Sequence, residues 1–144
     1  MRRARTLLCA AVVALAMVIG PVTSAHAADG WQSANRTTVE YTNNVGNMCE
    51  SSTGWEGLGC FAPLGEWVWL SDGSNDAPGV AMPWSVYDPG TGTYRSGIIY
   101  SLHGEGWANL NKSFPEDLGF SFRVCEYEPP SFVYNCSETT VAQT

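Results

Sequence analysis

The sequence predicts an all-β fold, a small antiparallel β-sandwich or barrel, on three observations. Short segments of strand composition recur along the chain. No stretch keeps the apolar period of a helix. The gaps are rich in glycine and proline, of which the chain has 15 and 8. Two disulfides and an extended N-terminal arm complete the expected architecture.

The first element is a leader. Arg2, Arg3 and Arg5 precede the apolar run "LLCAAVVALAMVIG", and Ala25-His26-Ala27 has the small-x-small form that a signal peptidase cuts. Residues 1–27 are therefore expected to be a signal peptide. The mature chain, 28–144, is then secreted and extracellular, with no second apolar run to hold it in a membrane. Cleavage removes three of the seven basic residues. Arg36, Arg95, Lys112 and Arg123 remain against all fourteen acidic residues, a mature net charge of −10. Such a chain has no basic patch to neutralise phosphates, so nucleic acid and anionic lipid are excluded as expected partners; solubility or a basic protein partner fits.

Residues 28–47 are polar and read as an extended arm. "TTVEYT" has strand composition there, and Trp31, Val39 and Tyr41 are its sizeable apolar groups. An arm of this kind adds a strand to its own domain or to a partner. Residues 48–144 are expected to form one disulfide-stapled β-domain. Cys9 leaves with the leader, so four cysteines remain, and an exported chain with an even count reads as two bridges. Four cysteines allow three pairings. The equal spacing of eleven positions favours Cys49–Cys60 and Cys125–Cys136. No Cys-x-x-Cys pair occurs, which argues against zinc.

After the first cysteine loop, "EWVWLS" is a strand with apolar side chains on both faces. Trp67 and Trp69 share one, Val68 and Leu70 the other. Either it is buried on both sides, or the tryptophan face awaits a partner. "GVAMPWSVY" sets Val80, Met82, Trp84 and Val86 on one face, and Pro83 in its middle points to an edge strand or a bulge. "DPGTG" is a turn, so "TYRSGIIYSL" should return as a hairpin partner. "LGFSFRVCEY" alternates Leu118, Phe120, Phe122 and Val124 with Gly119, Ser121, Arg123 and Cys125, a half-buried strand. "FVYN" starts a last short strand after Pro129-Pro130.

Catalytic residue sets are scarce. His103 is the sole mature histidine and no Gly-x-Ser-x-Gly elbow accompanies it. Asp72, Asp76, Glu105, Glu116 and Asp117 could pair as sugar-cutting carboxylates, but an acidic chain supplies such pairs by chance. "DGSND" spaces oxygen ligands at alternate positions. An EF-hand would need glycine and glutamate where Ala77 and Pro83 stand, so a plain turn is expected. No catalytic residue, cofactor or metal site is assigned. The remaining signal is six tryptophans, able to build a protein hot spot or a sugar-stacking platform. Trp84 is expected in the core, and Trp31, Val39, Tyr41, Trp67 and Trp69 are the candidate partner-binding residues.

From Cys60 on, the motifs "CFAPLGEWVWLSD", "RSGIIYSLHGEGWANLNKSFPE" and "FRVC" resemble a group of small secreted β-rich proteins of filamentous actinobacteria, mostly of unassigned function. The matching positions are Cys60, Phe61, Pro63, Gly65, Asp72, Arg95, Gly97, Gly104, Gly106, Trp107 and Glu116. Members often carry extra cysteines near the positions of Ile99 and Asn109, which this chain lacks. Proteins of this general kind include small adaptor subunits of umbrella-shaped toxin particles, joining a lectin-bearing subunit to a large toxin chain. The resemblance implies a non-enzymatic adaptor whose partner is another secreted protein, a large toxin or lectin-type subunit. Two alternatives stand beside it: a secreted protease or hydrolase inhibitor acting through a loop at residues 54–59 or 128–134, and a cell-wall polysaccharide binder acting through exposed tryptophans.

Overall fold

The computed structural model describes residues 29–39, 41, 42, 46–54, 56–73, 78–102, 104 and 106–144. The expected leader, and Trp55, Asp76, His103 and Glu105, lie outside these residues. Among the described residues there are twelve strands and no helix: β1 (Gly30–Ser33), β2 (Asn35–Thr37), β3 (Met48–Ser51), β4 (Gly57–Ala62), β5 (Trp67–Asp72), β6 (Gly79–Asp88), β7 (Thr93–Ser101), β8 (Gly106–Asn111), β9 (Gly119–Phe122), β10 (Cys125–Glu128), β11 (Phe132–Tyr134) and β12 (Thr140–Gln143). They form two sheets. The seven-stranded sheet runs β1-β7-β6-β10-β11, with β9 also on β6 and β12 on β9; the five-stranded sheet runs β2-β8-β5-β4-β3. Every pairing is antiparallel except β1 with β7.

Alternation in the strands puts one apolar face of each sheet into a shared core. Phe61, Val68, Leu70 and Ala108 come from the smaller sheet; Val80, Met82, Trp84, Val86, Ile99, Phe120 and Phe122 come from the larger. Phe61 stacks on Phe120 across the sandwich, centroids 4.1 Å apart. The sheets approach so closely at Gly59 that a Cβ there would lie 2.6 Å from Val124 Cγ2. Trp84, 3% exposed, is a core residue as expected.

The β6–β7 hairpin closes as "DPGTG" predicts. Asp88 Oδ1 accepts the Gly90 N–H at 2.8 Å, and the Asp88 carbonyl accepts the Gly92 N–H at 2.8 Å. The Gly90 bond, with that of Thr91 Oγ1, holds the Asp88 carboxyl below its ordinary pKa.

Two expectations need correction. β6 is neither an edge strand nor bulged at Pro83. It is central, with β7 on one side and β10 then β9 on the other. Pro83 sits where that second side changes partner. The Arg123 N–H reaches the Pro83 carbonyl at 3.2 Å, but Pro83 has no N–H to return. The missing donor breaks one ladder, and "LGFSFRVCEY" is accordingly two strands, β9 and β10, rather than one.

Both disulfides have the favoured local pairing, Cys49–Cys60 and Cys125–Cys136, each with Cα atoms 4.0 Å apart. The short separation follows from the ladders. Ser52 donates to the Gly57 carbonyl, so opposite residues alternate and Cys49–Cys60 falls at a non-hydrogen-bonded pair, where side chains are closest. Near β11, Asn135 (φ 48°) is one extra residue in the strand, and it shifts Cys136 into line with Cys125.

The N-terminal arm is written into both sheets of its own domain. β1 lies along β7, Ala34 donates to the Tyr100 carbonyl at 2.8 Å, and β2 continues along β8. Gly30 and Gly97 allow the close approach: a Cβ on Gly97 would sit 2.5 Å from the Gly30 carbonyl oxygen. Asp29 pairs with Arg95 at 3.1 Å. Gln32 accepts a hydrogen bond from Lys112, which is 1% exposed with its Nζ 4.4 Å from the Trp84 ring centroid. Burial, and then the Arg95 charge, push the Lys112 ammonium down to about 8.

Candidate functional site

The strand "EWVWLS" is buried on one face only. Val68 and Leu70 are fully buried in the core, whereas Trp67 on the outer face is 38% exposed and Trp69 is half-buried. The register sets what surrounds them. One row across the five-stranded sheet reads Cys49–Cys60–Trp69–Asn109–Asn35. The row to one side reads Ser51–Leu58–Ser71–Trp107–Thr37, and the row to the other reads Ala62–Trp67–Asn111. β8, "GWANLN", alternates for the same reason as β5: Ala108 turns inward, while Trp107, Asn109 and Asn111 turn outward.

Trp67, Trp69 and Trp107 therefore share one solvent-side face. Trp69 sits 6.3 Å from each of the other two rings, tilted by 42° to Trp67 and by 80° to Trp107. Tyr41 joins from the connector after β2, 5.0 Å from Trp107 and 5.8 Å from Trp69. Its hydroxyl lies 3.3 Å from Cys49 Sγ. Tyr41 thus covers the Trp107 end and leaves the Trp67 end open. There the turn after β4 places Gly65 (φ 82°) against the Trp67 ring, Leu64 in the same turn is 94% exposed, and Asn111 Nδ2 donates to the Gly65 carbonyl. Behind this turn the Glu66 carboxylate accepts the Phe114 N–H at 2.9 Å, and burial raises its pKa.

The other candidates lie elsewhere. Trp31 is on the opposite sheet, 5.6 Å from Tyr127 and 6.0 Å from Tyr100, a separate aromatic cluster. Val39 is exposed in the connector and its N–H bonds Thr37 Oγ1. Of the five, the structure brings together Tyr41, Trp67 and Trp69. Trp107 belongs with them, and the outward set of "GWANLN" was the signal that would have found it.

The first expected inhibitory loop is only partly a loop: Gly54 lies in the turn after β3, whereas residues 57–59 belong to β4, with Gly57 and Gly59 buried. Residues 128–134 form the hairpin between β10 and β11, where Phe132 is 61% exposed and stacks on Tyr134 at 5.3 Å. Asp72 closes β5 as a buried residue, not an open calcium ligand. Glu116 and Asp117 form an exposed turn.

Chemically, the tryptophan face offers ring surfaces and side-chain amides, which suit binding. No protein-family model, curated protein or solved structure matches the chain.

Proposed function

We propose that the protein is a secreted, non-enzymatic protein-binding module, an adaptor that docks another secreted protein on the Trp67–Trp69–Trp107 face. The observation that carries this reading is the division of β5: its inner residues Val68 and Leu70 are fully buried, while Trp67 on the outer face stays open. Large rigid rings on the outer face of a sheet that needs none of them for its core are the material of interface hot spots. The mutual tilts of 42° and 80° favour a protein over a flat sugar chain, because interlocked rings present edges and hollows rather than one level platform. Two disulfides fit an oxidising compartment and so support an exported protein.

The test is capture from the producing cells' culture supernatant by residues 28–144, tagged at their N-terminal end. The C-terminal Thr144 is unsuitable for a tag, because its hydroxyl accepts the Leu118 N–H and its own N–H donates to the Leu118 carbonyl. Recovery of one or two secreted proteins in fixed ratio, weakened at least about 30-fold by Trp67→Ala, is the expected result. Recovery of the tagged protein alone would remove the adaptor reading.

Asn109 and Asn111 beside Trp69 and Trp67 favour the polysaccharide alternative. Retention on insoluble chitin, cellulose or peptidoglycan that is lost on Trp67→Ala would establish it instead.

A further inference from the structure

We infer that the free edge of β3 is a second binding site, which takes an extended, positively charged peptide segment as an added strand. The inference goes beyond the tryptophan face and does not depend on it.

β3 is an end strand of the five-stranded sheet, paired only with β4 among the described residues. The ladder fixes which of its backbone groups are turned outward. Ser52 donates to the Gly57 carbonyl, so Ser52, Glu50 and Met48 are the residues that bond to β4. Cys49 and Ser51 then direct their N–H and C=O groups away from the sheet. No backbone hydrogen bond links these two residues to any other described strand or loop. Alternate outward donors and acceptors on an end strand are what a peptide uses when it extends a sheet.

This edge opens into a groove of about 570 Å³. β3 forms one wall and residues 137–139 form the other. The side chain of Glu50 shares the inward side with its partner Gly59, and it accepts a hydrogen bond from Thr140 Oγ1, which closes the floor toward β12. At one end the Thr53 N–H bonds the Asn135 carbonyl at 2.9 Å and seals the groove. An edge that natural proteins would ordinarily cover is therefore left standing beside a walled channel.

Charge selects the occupant. The lining holds two carboxylates, Glu50 and Glu138, with serine and threonine hydroxyls, and no lysine or arginine. Arg123 is nearby but lines the smaller groove on the other side of Thr139. Lysine or arginine side chains on the incoming strand would meet Glu138 at the rim, while its backbone pairs with Cys49 and Ser51. The Cys49–Cys60 bridge fixes the receiving strand to β4, so the edge is held ready and little ordering is required on the protein's side.

The test uses residues 28–144 with both disulfides formed, and an end-blocked octapeptide of alternating lysine and threonine as the probe. Spermine carries the same four charges with no peptide backbone, and the glutamate–threonine octapeptide reverses the charge. Amide hydrogen exchange is followed residue by residue. The lysine peptide is expected to bind saturably and slow exchange at Cys49 and Ser51 by about tenfold or more, and the two controls are not. Ser51→Pro removes one outward N–H at an edge position that tolerates proline, and it should weaken the peptide about tenfold while the fold persists. Glu138→Lys should weaken it too. Equal binding of spermine, protection confined to other strands, or no saturation at millimolar peptide would each overturn the inference. Unchanged affinity in Ser51→Pro would do the same.

Discussion

The ring of Tyr41 packs 5.0 Å from that of Trp107, although the two residues are far apart in the chain: one follows β2, the other is the second residue of β8. The contact holds the N-terminal connector down over the tryptophan face. Removing the ring in Tyr41→Ala should cost about 1–2 kcal/mol, aromatic pairing plus lost burial. Urea unfolding measures that, and a red shift of tryptophan emission in the folded variant would report the newly wetted Trp107.

The two faces of β5 should separate stability from binding. Leu70→Ala hollows the core and is expected to cost about 2–5 kcal/mol. Trp67→Ala, on the open face, should cost under about 1 kcal/mol. A Trp67→Ala variant as damaged as Leu70→Ala in urea would mean that the ring belongs to the fold and not to a binding face.

Lys112 gives a pH signature. Its folded pKa is pushed down to about 8 from an ordinary 10.5, so between these values the unfolded chain holds a proton that the folded chain has released. Stability therefore gains from this residue as pH rises through that window, and the gain is absent below it. Lys112→Met keeps the volume against Trp84 and removes the titration. Plotted as the difference between wild type and variant, the unfolding midpoints should diverge in favour of the wild type as pH rises from about 8 to about 10.5. A constant difference would contradict the buried ammonium.

Pro83→Ala should return the missing donor to the Arg123 carbonyl. The regained bond and the greater freedom of the unfolded chain are each about 1 kcal/mol and oppose one another, so net stability should stay within about 0.5 kcal/mol. The amide at position 83 should exchange slowly, as one of the ladder. Rapid exchange there would show that something other than the proline separates β9 from β10.

Much of this architecture was legible in the residues because alternation is local. "EWVWLS" and "LGFSFRVCEY" state their inner and outer sets without help from any neighbour, and the equal cysteine spacings matched facing positions in two hairpins. What was not legible depends on partners far along the chain. Pro83 reads as an edge signal by itself; only the approach of Arg123 on one side shows a central strand with a single broken rung. Trp31 and Tyr41 lie in one polar arm, yet they end on different sheets because the chain changes sheets at Ala34, a residue with nothing in its own chemistry to announce it. Trp107 was visible as a tryptophan but joined Trp69 only through the β5–β8 register.

That change of sheet also sets an order of assembly. Both cysteine pairs sit in hairpins whose ends are eleven residues apart, so they can meet as soon as each short segment is free. The opening strand has no such neighbour: Gly30 must find Gly97, and Asn35 must find Asn109. Long closures of this kind are slow, because chain entropy is lost before any contact compensates for it. The first strand to be made is thus expected to be among the last to settle. Once β7 and β8 have formed, and until β1 and β2 reach them, their edges stay vacant, and the chain is then at its most adhesive.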